Sequence, residues 1–132
     1  MLFIGDQGVG KTSILKRYVN KKFDHSKMAT SGVDFQSIRY TSESGEECRV
    51  KLWDTAGQER YRTLTTTFIK DADGVLVVFD LNQQDTFHNV RDWIDNIYKH
   101  KDTTIPIVLV GNKLDLADAE DGGEREVDTS EA

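Results

Sequence analysis

The sequence has 132 residues and a formal net charge of −6, from 17 Lys and Arg against 23 Asp and Glu. This length predicts one domain, and 37% hydrophobic with 30% charged residues is typical of a soluble globular protein. The acidic balance excludes broad, sequence-independent nucleic-acid binding, which relies on a basic surface. It leaves room for a nucleotide, whose phosphates need only a local group of donors. The single cysteine, Cys48, cannot form an internal disulfide, which fits a reducing compartment.

Strands and helices alternate along the chain. The elements that apolar periodicity predicts are, in chain order, a strand at Leu2–Ile4, a helix at Lys11–Asn20, strands at Phe35–Thr41 and Cys48–Asp54, a weak helix from Glu59 to about Ile69, a strand at Gly74–Phe79, a helix from Asp85 to about Lys99 and a strand at Ile105–Val110. The last two strands are apolar runs, so we expect neighbours to cover both of their faces. The order predicts an α/β three-layer sandwich with a doubly wound, mostly parallel sheet and one antiparallel edge strand at 35–41.

The first motif lies between the first strand and the first helix. Residues 5–12, Gly-Asp-Gln-Gly-Val-Gly-Lys-Thr, fit the phosphate-loop pattern G-x-x-x-x-G-K-[ST]. Glycines let backbone N–H groups turn toward phosphate oxygens, and the following helix adds its positive N-terminal dipole. We expect Lys11 to reach the β- and γ-phosphates and the Thr12 hydroxyl to ligate Mg²⁺. The residues expected to bind the nucleotide here are Gly8, Val9, Gly10, Lys11, Thr12 and Ser13.

The second motif, Asp54-Thr55-Ala56-Gly57, follows a strand. A carboxylate at the carboxyl end of a strand can hold Mg²⁺, so Asp54 is a predicted metal ligand. Gly57 offers a backbone N–H to a γ-phosphate, and Gln58 is placed to orient an attacking water. Asp-x-x-Gly is also a common turn, and the functional interpretation depends on the phosphate loop upstream.

The third motif, Asn112-Lys113-Leu114-Asp115, follows the strand that ends at Val110. The Asp115 carboxylate can accept hydrogen bonds from both N1–H and the exocyclic amino group of guanine, an arrangement that adenine does not offer. A helix cap or a loop turn would explain the same residues. The order of the motifs, each placed after a strand, favours a reader of the guanine base.

Together these motifs resemble those of the Rab family of Ras-superfamily small GTPases, across nearly all 132 residues. Residues 32–35 extend the resemblance, and the run Trp53–Tyr61 followed by Arg62–Phe68 is closest to the secretory subgroup. The resemblance implies that Thr30 ligates Mg²⁺ and senses the γ-phosphate and that Phe23 lies against the guanine ring. It also implies that three aromatic side chains present the switch regions to effectors, although each could equally be a core residue: Phe35, Trp53 and Phe68.

The resemblance implies a molecular switch in vesicle trafficking that binds GTP or GDP with Mg²⁺ and hydrolyses GTP, with Gln58 and Lys11 as catalytic residues. Turnover would be slow without a GTPase-activating protein, because no arginine is placed as a finger. Exchange factors and effectors are further expected partners. The expected location is cytoplasmic, at the cytosolic face of vesicle or organelle membranes if the full-length protein is prenylated.

Several residues depart from the family pattern. Gln7 stands where Rab proteins mostly carry serine, next to the γ-phosphate, and its longer side chain predicts slowed hydrolysis. Lys27 replaces an aromatic residue that covers the nucleotide, and Ser31 replaces a β-branched apolar residue after the switch threonine. Both changes bear on closure of the first switch.

The sequence stops where the family continues with a helix, a strand, a final helix and a hypervariable tail with prenylated cysteines. Residues 1–132 are therefore expected to be one GTPase domain that lacks those elements, with membrane contact only through the absent tail. Three alternatives stay open: a module that binds GTP but scarcely hydrolyses it, a truncated fragment without function, and an ATP-using phosphate-loop enzyme, which residues 112–115 disfavour.

Overall fold

The computed structural model describes residues 1–21, 33–55, 62–101, 104–117 and 125–130. Five strands and five helices lie within these ranges. In chain order they are β1 (Leu2–Ile4), α1 (Lys11–Asn20), β2 (Val33–Thr41), β3 (Glu47–Thr55), α2 (Arg62–Asp71), β4 (Val75–Asp80), α3 (Gln84–His88), α4 (Val90–His100), β5 (Ile107–Asn112) and α5 (Leu114–Ala117).

The strands form one sheet in the order β2-β3-β1-β4-β5. β1 is central and pairs in parallel with both β3 and β4, and β5 pairs in parallel with β4. β2 runs antiparallel to β3 at one edge, joined to it by a hairpin. This topology confirms the predicted mixed sheet. It also brings the carboxyl ends of the four parallel strands to one edge, where ligands bind in open α/β sheets.

Helices cover the two faces of the sheet unequally. Leu15 of α1 packs with Phe3, Leu52 and Val78 on one face. On the other face, side chains of α2 and α4 such as Ile69 pack against β1 and β4 in the larger cluster. The sheet is therefore the middle layer of a three-layer sandwich, as predicted.

The prediction of a single helix from Asp85 to about Lys99 is wrong in one respect. The structure has two separate helices, α3 and α4, which meet at Asn89. Asn89 keeps right-handed helical angles, with φ −71° and ψ −12°, and its N–H is shared between the carbonyls of Asp85 and Phe87. Because the chain turns with nearly helical geometry, the spacing of apolar residues continues through the junction. Periodicity therefore could not detect it.

The prediction that both faces of β5 are buried is also wrong. β5 lies at the edge of the sheet, and the side chains of Val108 and Leu109 are 52% and 36% exposed. The strand also begins at Ile107, two residues later than predicted. An apolar run has the same composition whether or not other elements cover its two faces, so sequence alone does not reveal how far each face is buried.

Candidate nucleotide-binding site

Two glycines of the loop between β1 and α1 are required by their surroundings. Gly5 has φ +136°, and a Cβ on it would lie 2.1 Å from the carbonyl oxygen of Val78. Gly10 has φ +100°, and its Cβ would lie 2.2 Å from Nδ2 of Asn112. L side chains rarely adopt these backbone angles. The first residue of the loop therefore lies close against β4, and its last glycine lies close against the end of β5.

Lys11 begins α1, and its side chain is buried at 5% exposure. The Nζ atom donates hydrogen bonds to the carbonyl oxygens of Gly5, at 2.8 Å, and Asp6, at 2.7 Å. Burial lowers the pKa of Lys11 to about 8, while the charges of Asp54 and Asp6 act in the opposite direction. A buried ammonium group inside a glycine loop is a strong attractor for an anion.

Thr12 and Asp54 meet beside the loop. The Thr12 hydroxyl donates to Oδ2 of Asp54 at 2.5 Å, joining α1 to the end of β3. Oδ1 of Asp54 is buried and has no hydrogen-bond partner among the described residues. Burial raises the pKa of Asp54, whereas the Thr12 hydrogen bond and the Lys11 charge lower it.

This donor set fits a magnesium ion. A hydroxyl and a carboxylate are hard oxygen ligands, and one carboxylate oxygen is left without a partner in the described part of the chain. The described part of the chain contains no group of three or more His, Cys, Asp or Glu side chains that could hold a metal. A magnesium ion shared with phosphates would need only one or two protein carboxylates, so Thr12 and Asp54 would suffice as its protein ligands.

Asn112 connects the third motif to the first. It is the last residue of β5, opposite Asp80 in the register of the two strands. Its Nδ2 donates to the carbonyl oxygen of Val9 at 2.8 Å, and Val9 itself is fully buried. The amide thus holds the phosphate loop against the end of β5. The structure brings the first and third motifs together as the sequence predicts.

Lys113 follows with a left-handed backbone, φ 66°, and its Nζ forms an ion pair of 2.5 Å with Asp80. Burial acts to raise the pKa of Asp80, but hydrogen bonds from Lys113 and Asn82 outweigh it and hold the pKa below its usual value. Sequence reasoning missed Asp80. Its position directly after a buried strand, the signal used for Asp54, could have found it.

Asp115 lies in the first turn of α5 with its side chain exposed. Ser13 lies in α1, one residue beyond Thr12, and is partly buried. Gly8 has φ +81° and open space around it, so a ligand can approach its backbone closely. Gln7 is exposed in the same turn.

Several predicted site residues lie outside the described ranges. They are Phe23, Lys27, Thr30, Ser31, Gly57 and Gln58. Their roles stay predictions.

The three aromatic residues expected to face effectors are in contact. The ring centroids of Phe35 and Trp53 are 4.9 Å apart, as are those of Trp53 and Phe68. Phe35 is 49% exposed, while Trp53 and Phe68 pack partly against the larger core. The row of three rings therefore extends from the core to the surface. Phe35 lies at its surface end and is not a core residue.

The fold and the site define a class of protein. A glycine loop with a buried lysine, a Thr–Asp pair and an asparagine tied to the loop all lie at the carboxyl edge of a mostly parallel sheet. This is the arrangement of a phosphate-loop nucleotide-binding domain. The sequence model of the Ras family matches residues 1–132, so the chain belongs to the Ras family.

Curated relatives agree with this assignment. The chain is 42% identical over 118 residues to "Ras-related protein RIC1" of Oryza sativa subsp. japonica, covering 89% of this chain and 58% of that protein. It is 42% identical over 118 residues to "GTP-binding protein yptV2" of Volvox carteri, covering 89% and 54%. It is 42% identical over 130 residues to "Ras-related protein RABE1e" of Arabidopsis thaliana, covering 98% and 57%. The expected likeness to Rab proteins is confirmed, and the chain spans little more than half the length of these relatives.

Proposed function

We propose that residues 1–132 form one GTPase domain, which binds GTP or GDP with Mg²⁺ and hydrolyses GTP to GDP and phosphate as a switch in vesicle trafficking. The observation that carries the proposal is the hydrogen bond from Asn112 to Val9. It joins the predicted base-reading motif to the phosphate loop, so one nucleotide can reach both. Membership of the Ras family and the printed name of the Volvox relative, a GTP-binding protein, support the choice of guanine nucleotide.

The phosphates would be held by the loop over residues 8–13. Lys11, held by its hydrogen bonds to the carbonyl oxygens of Gly5 and Asp6, would also donate charge-assisted bonds to the β- and γ-phosphates. Thr12 and Asp54, with Thr30 as a further proposed ligand, would hold Mg²⁺, which neutralises charge on the β- and γ-phosphate oxygens when bound. The backbone N–H groups of Gly8, Val9 and Gly10 complete the phosphate site.

The base would be read at the end of β5. Asp115 accepts from N1–H and the amino group of guanine, and its exposed side chain is free to do so. Asn112 supports the loop, and Lys113 is oriented by Asp80. Phe23 is proposed to lie against the guanine ring on the strength of the Rab resemblance.

Hydrolysis would use an attacking water oriented by Gln58, with Lys11 stabilising charge that develops on the transferred phosphoryl group. Gly57 would donate its N–H to the γ-phosphate and so sense its loss. A reaction that lacks an arginine finger is slow, and a GTPase-activating protein can accelerate it by about 10³–10⁵. An exchange factor would then be needed to release GDP.

The contacting row of Phe35, Trp53 and Phe68 is the proposed effector surface. Membrane attachment would depend on a prenylated tail outside these 132 residues, at the cytosolic face of a vesicle or organelle. Among the described residues, no helix is both long and apolar enough to cross a bilayer.

A second candidate function is a module that retains GTP and hydrolyses it poorly. Gln7 favours it, because its exposed side chain lies in the turn beside Gly8, where a γ-phosphate would sit. Single-turnover hydrolysis by the parent and by Gln7→Ser separates the two functions. A faster rate in Gln7→Ser supports the second candidate, and equal rates in both chains contradict it.

The test of the proposed function is titration of the 132-residue chain with a fluorescent GDP analogue and Mg²⁺. We expect Kd values in the micromolar range or tighter, with competition by GTP and not by ATP. Asp115→Ala should weaken GDP by about 10- to 100-fold, because two hydrogen bonds to the base are lost. It should also remove the preference for GDP over inosine diphosphate, which lacks the exocyclic amino group.

The matched control is Asp95→Asn, an exposed carboxylate of α4, which should leave both affinities unchanged. Because Asp115 is exposed, its variant should keep the parent melting temperature. A monodisperse parent chain that binds no GDP would contradict the proposed function. Equal affinity for GTP and ATP would contradict the guanine assignment alone.

A further inference from the structure

The side chain of Asp6 points from the phosphate loop to the start of α4. Its Oδ2 accepts a hydrogen bond from Nδ2 of Asn89 at 2.7 Å, and its Oδ1 accepts one from Nε1 of Trp93 at 2.9 Å. In the loop motif this position can hold any residue. The carboxylate therefore has a role that the motif does not specify.

The two donors come from one short stretch of chain. Asn89 is the junction between α3 and α4, and Trp93 lies one turn later, so both project from the same side of the helix. Trp93 is buried in the larger core, which holds its indole N–H in a defined place. Asn89 is exposed and sits where the two helices meet.

The main chain of Asp6 is bonded to the lysine of the loop. Its carbonyl oxygen accepts from Nζ of Lys11 at 2.7 Å, and the neighbouring carbonyl of Gly5 accepts at 2.8 Å. One residue therefore contacts Lys11 through its backbone and α4 through its side chain. Hydrogen bonds to a carboxylate are stronger than neutral ones, so this connection resists movement of the loop.

We propose that Asp6 is a positioning residue, which sets the place of Lys11 by tying the phosphate loop to Asn89 and Trp93. The retention of a nucleoside diphosphate then depends on the α3–α4 junction, which contains none of the phosphate- or base-binding motifs. The inference rests on the proposed function, since Lys11 must hold phosphate for its position to matter.

The experiment measures release of a fluorescent GDP analogue from the 132-residue chain in a set of four variants. Asp6→Asn places an amide opposite the amide of Asn89, and Asn89→Asp places a carboxylate opposite the carboxylate of Asp6. Each single change should speed release by about tenfold, because a charge-assisted hydrogen bond is lost. The double variant reverses donor and acceptor, and its release rate should return to within about threefold of the parent.

Asp95→Asn, an exposed carboxylate on the same helix, is the control and should release the analogue at the parent rate. Melting temperatures of all five chains separate positioning from folding, since a purely structural bond would change stability without restoring release in the double variant. Single variants that release at the parent rate, or a double variant as fast as the single ones, overturn the inference. A parent chain that binds no analogue overturns the proposed function as well, and so the two failures are distinguishable.

Discussion

The phosphate end and the base end of the candidate site are built differently. At the phosphate end Lys11 and Asp54 are buried, at 5% and 2% exposure. At the base end Asp115 is exposed, and Leu114 and Leu116 beside it are 51% and 54% exposed. The phosphate end lies beside the central strand β1, whereas the base end follows β5 at the sheet edge.

The difference shows what each end requires. Phosphate groups are bound by charge and by backbone N–H groups, which work best where water is excluded and the loop is rigid. A base is recognised by the pattern of its hydrogen-bonding edge, which one correctly placed side chain can read. We therefore expect changes at the phosphate end to reduce affinity for the nucleotide or to destabilise the fold, and changes at the base end to alter base specificity and GDP affinity without destabilising the fold.

The largest expected effect is that of Lys11→Met. Losing the ammonium should weaken GDP binding by at least about 100-fold, because charge-assisted bonds to two phosphates disappear. The free energy of unfolding should change by only about 1 kcal/mol, since relief of the buried charge offsets the two carbonyls left without a donor. Titration and urea denaturation measure the two quantities. Lys99→Met, at an exposed position of α4, is the control and should bind GDP as the parent does. A GDP affinity of the Lys11→Met variant within about threefold of the parent would contradict the prediction.

The substitution Gly10→Ala tests the contact between the phosphate end and the base end of the site. It should lower the free energy of unfolding by about 2–4 kcal/mol, from the positive φ and from the collision with Asn112. Gly45→Ala is a matched control, because Gly45 has φ +85° and nothing within 4 Å of its Cβ, and we expect a loss of about 1 kcal/mol. Urea denaturation measures both. Equal losses in the two variants would show that the contact between Gly10 and Asn112 does not hold the ends together.

The smallest expected effect is a pH dependence. Because the pKa of Lys11 is lowered to about 8, the native chain loses this proton before the unfolded chain does. Stability therefore rises with pH above about 8, up to the usual lysine pKa near 10.4. GDP affinity should move the opposite way and fall by up to about tenfold per pH unit above about 8, because phosphate needs the protonated form.

Melting curves and GDP titrations from about pH 7 to about pH 9 test this prediction. Lys11→Met is the control for the stability curve, which should lose its rise above about pH 8. A GDP affinity that stays flat across the range would show that the ammonium group does not titrate in the free site.

The contrast between the ends also explains which parts of the molecule could be predicted from sequence. Strands such as Val75–Asp80 and the loop over residues 5–12 are specified by local patterns: apolar runs, glycines at fixed spacing and a lysine after them. The break at Asn89 and the exposed face of β5 are not local properties, because both depend on which elements lie nearby. Sequence reasoning was therefore wrong at those places and right about the fold class, a mostly parallel sheet with one antiparallel edge strand.

By itself, the sequence determined the class of fold, the phosphate-loop motif and the order of three motifs that each follow a strand, since these depend on residue type and spacing along the chain. Only the tertiary structure decided that Asn112 bonds Val9, that Asp80 pairs with Lys113 and that Asp6 contacts Asn89 and Trp93. The physical reason is distance along the chain. Partners separated by tens of residues meet only when the sheet forms, and a hydrogen bond between them leaves no periodic trace in the sequence.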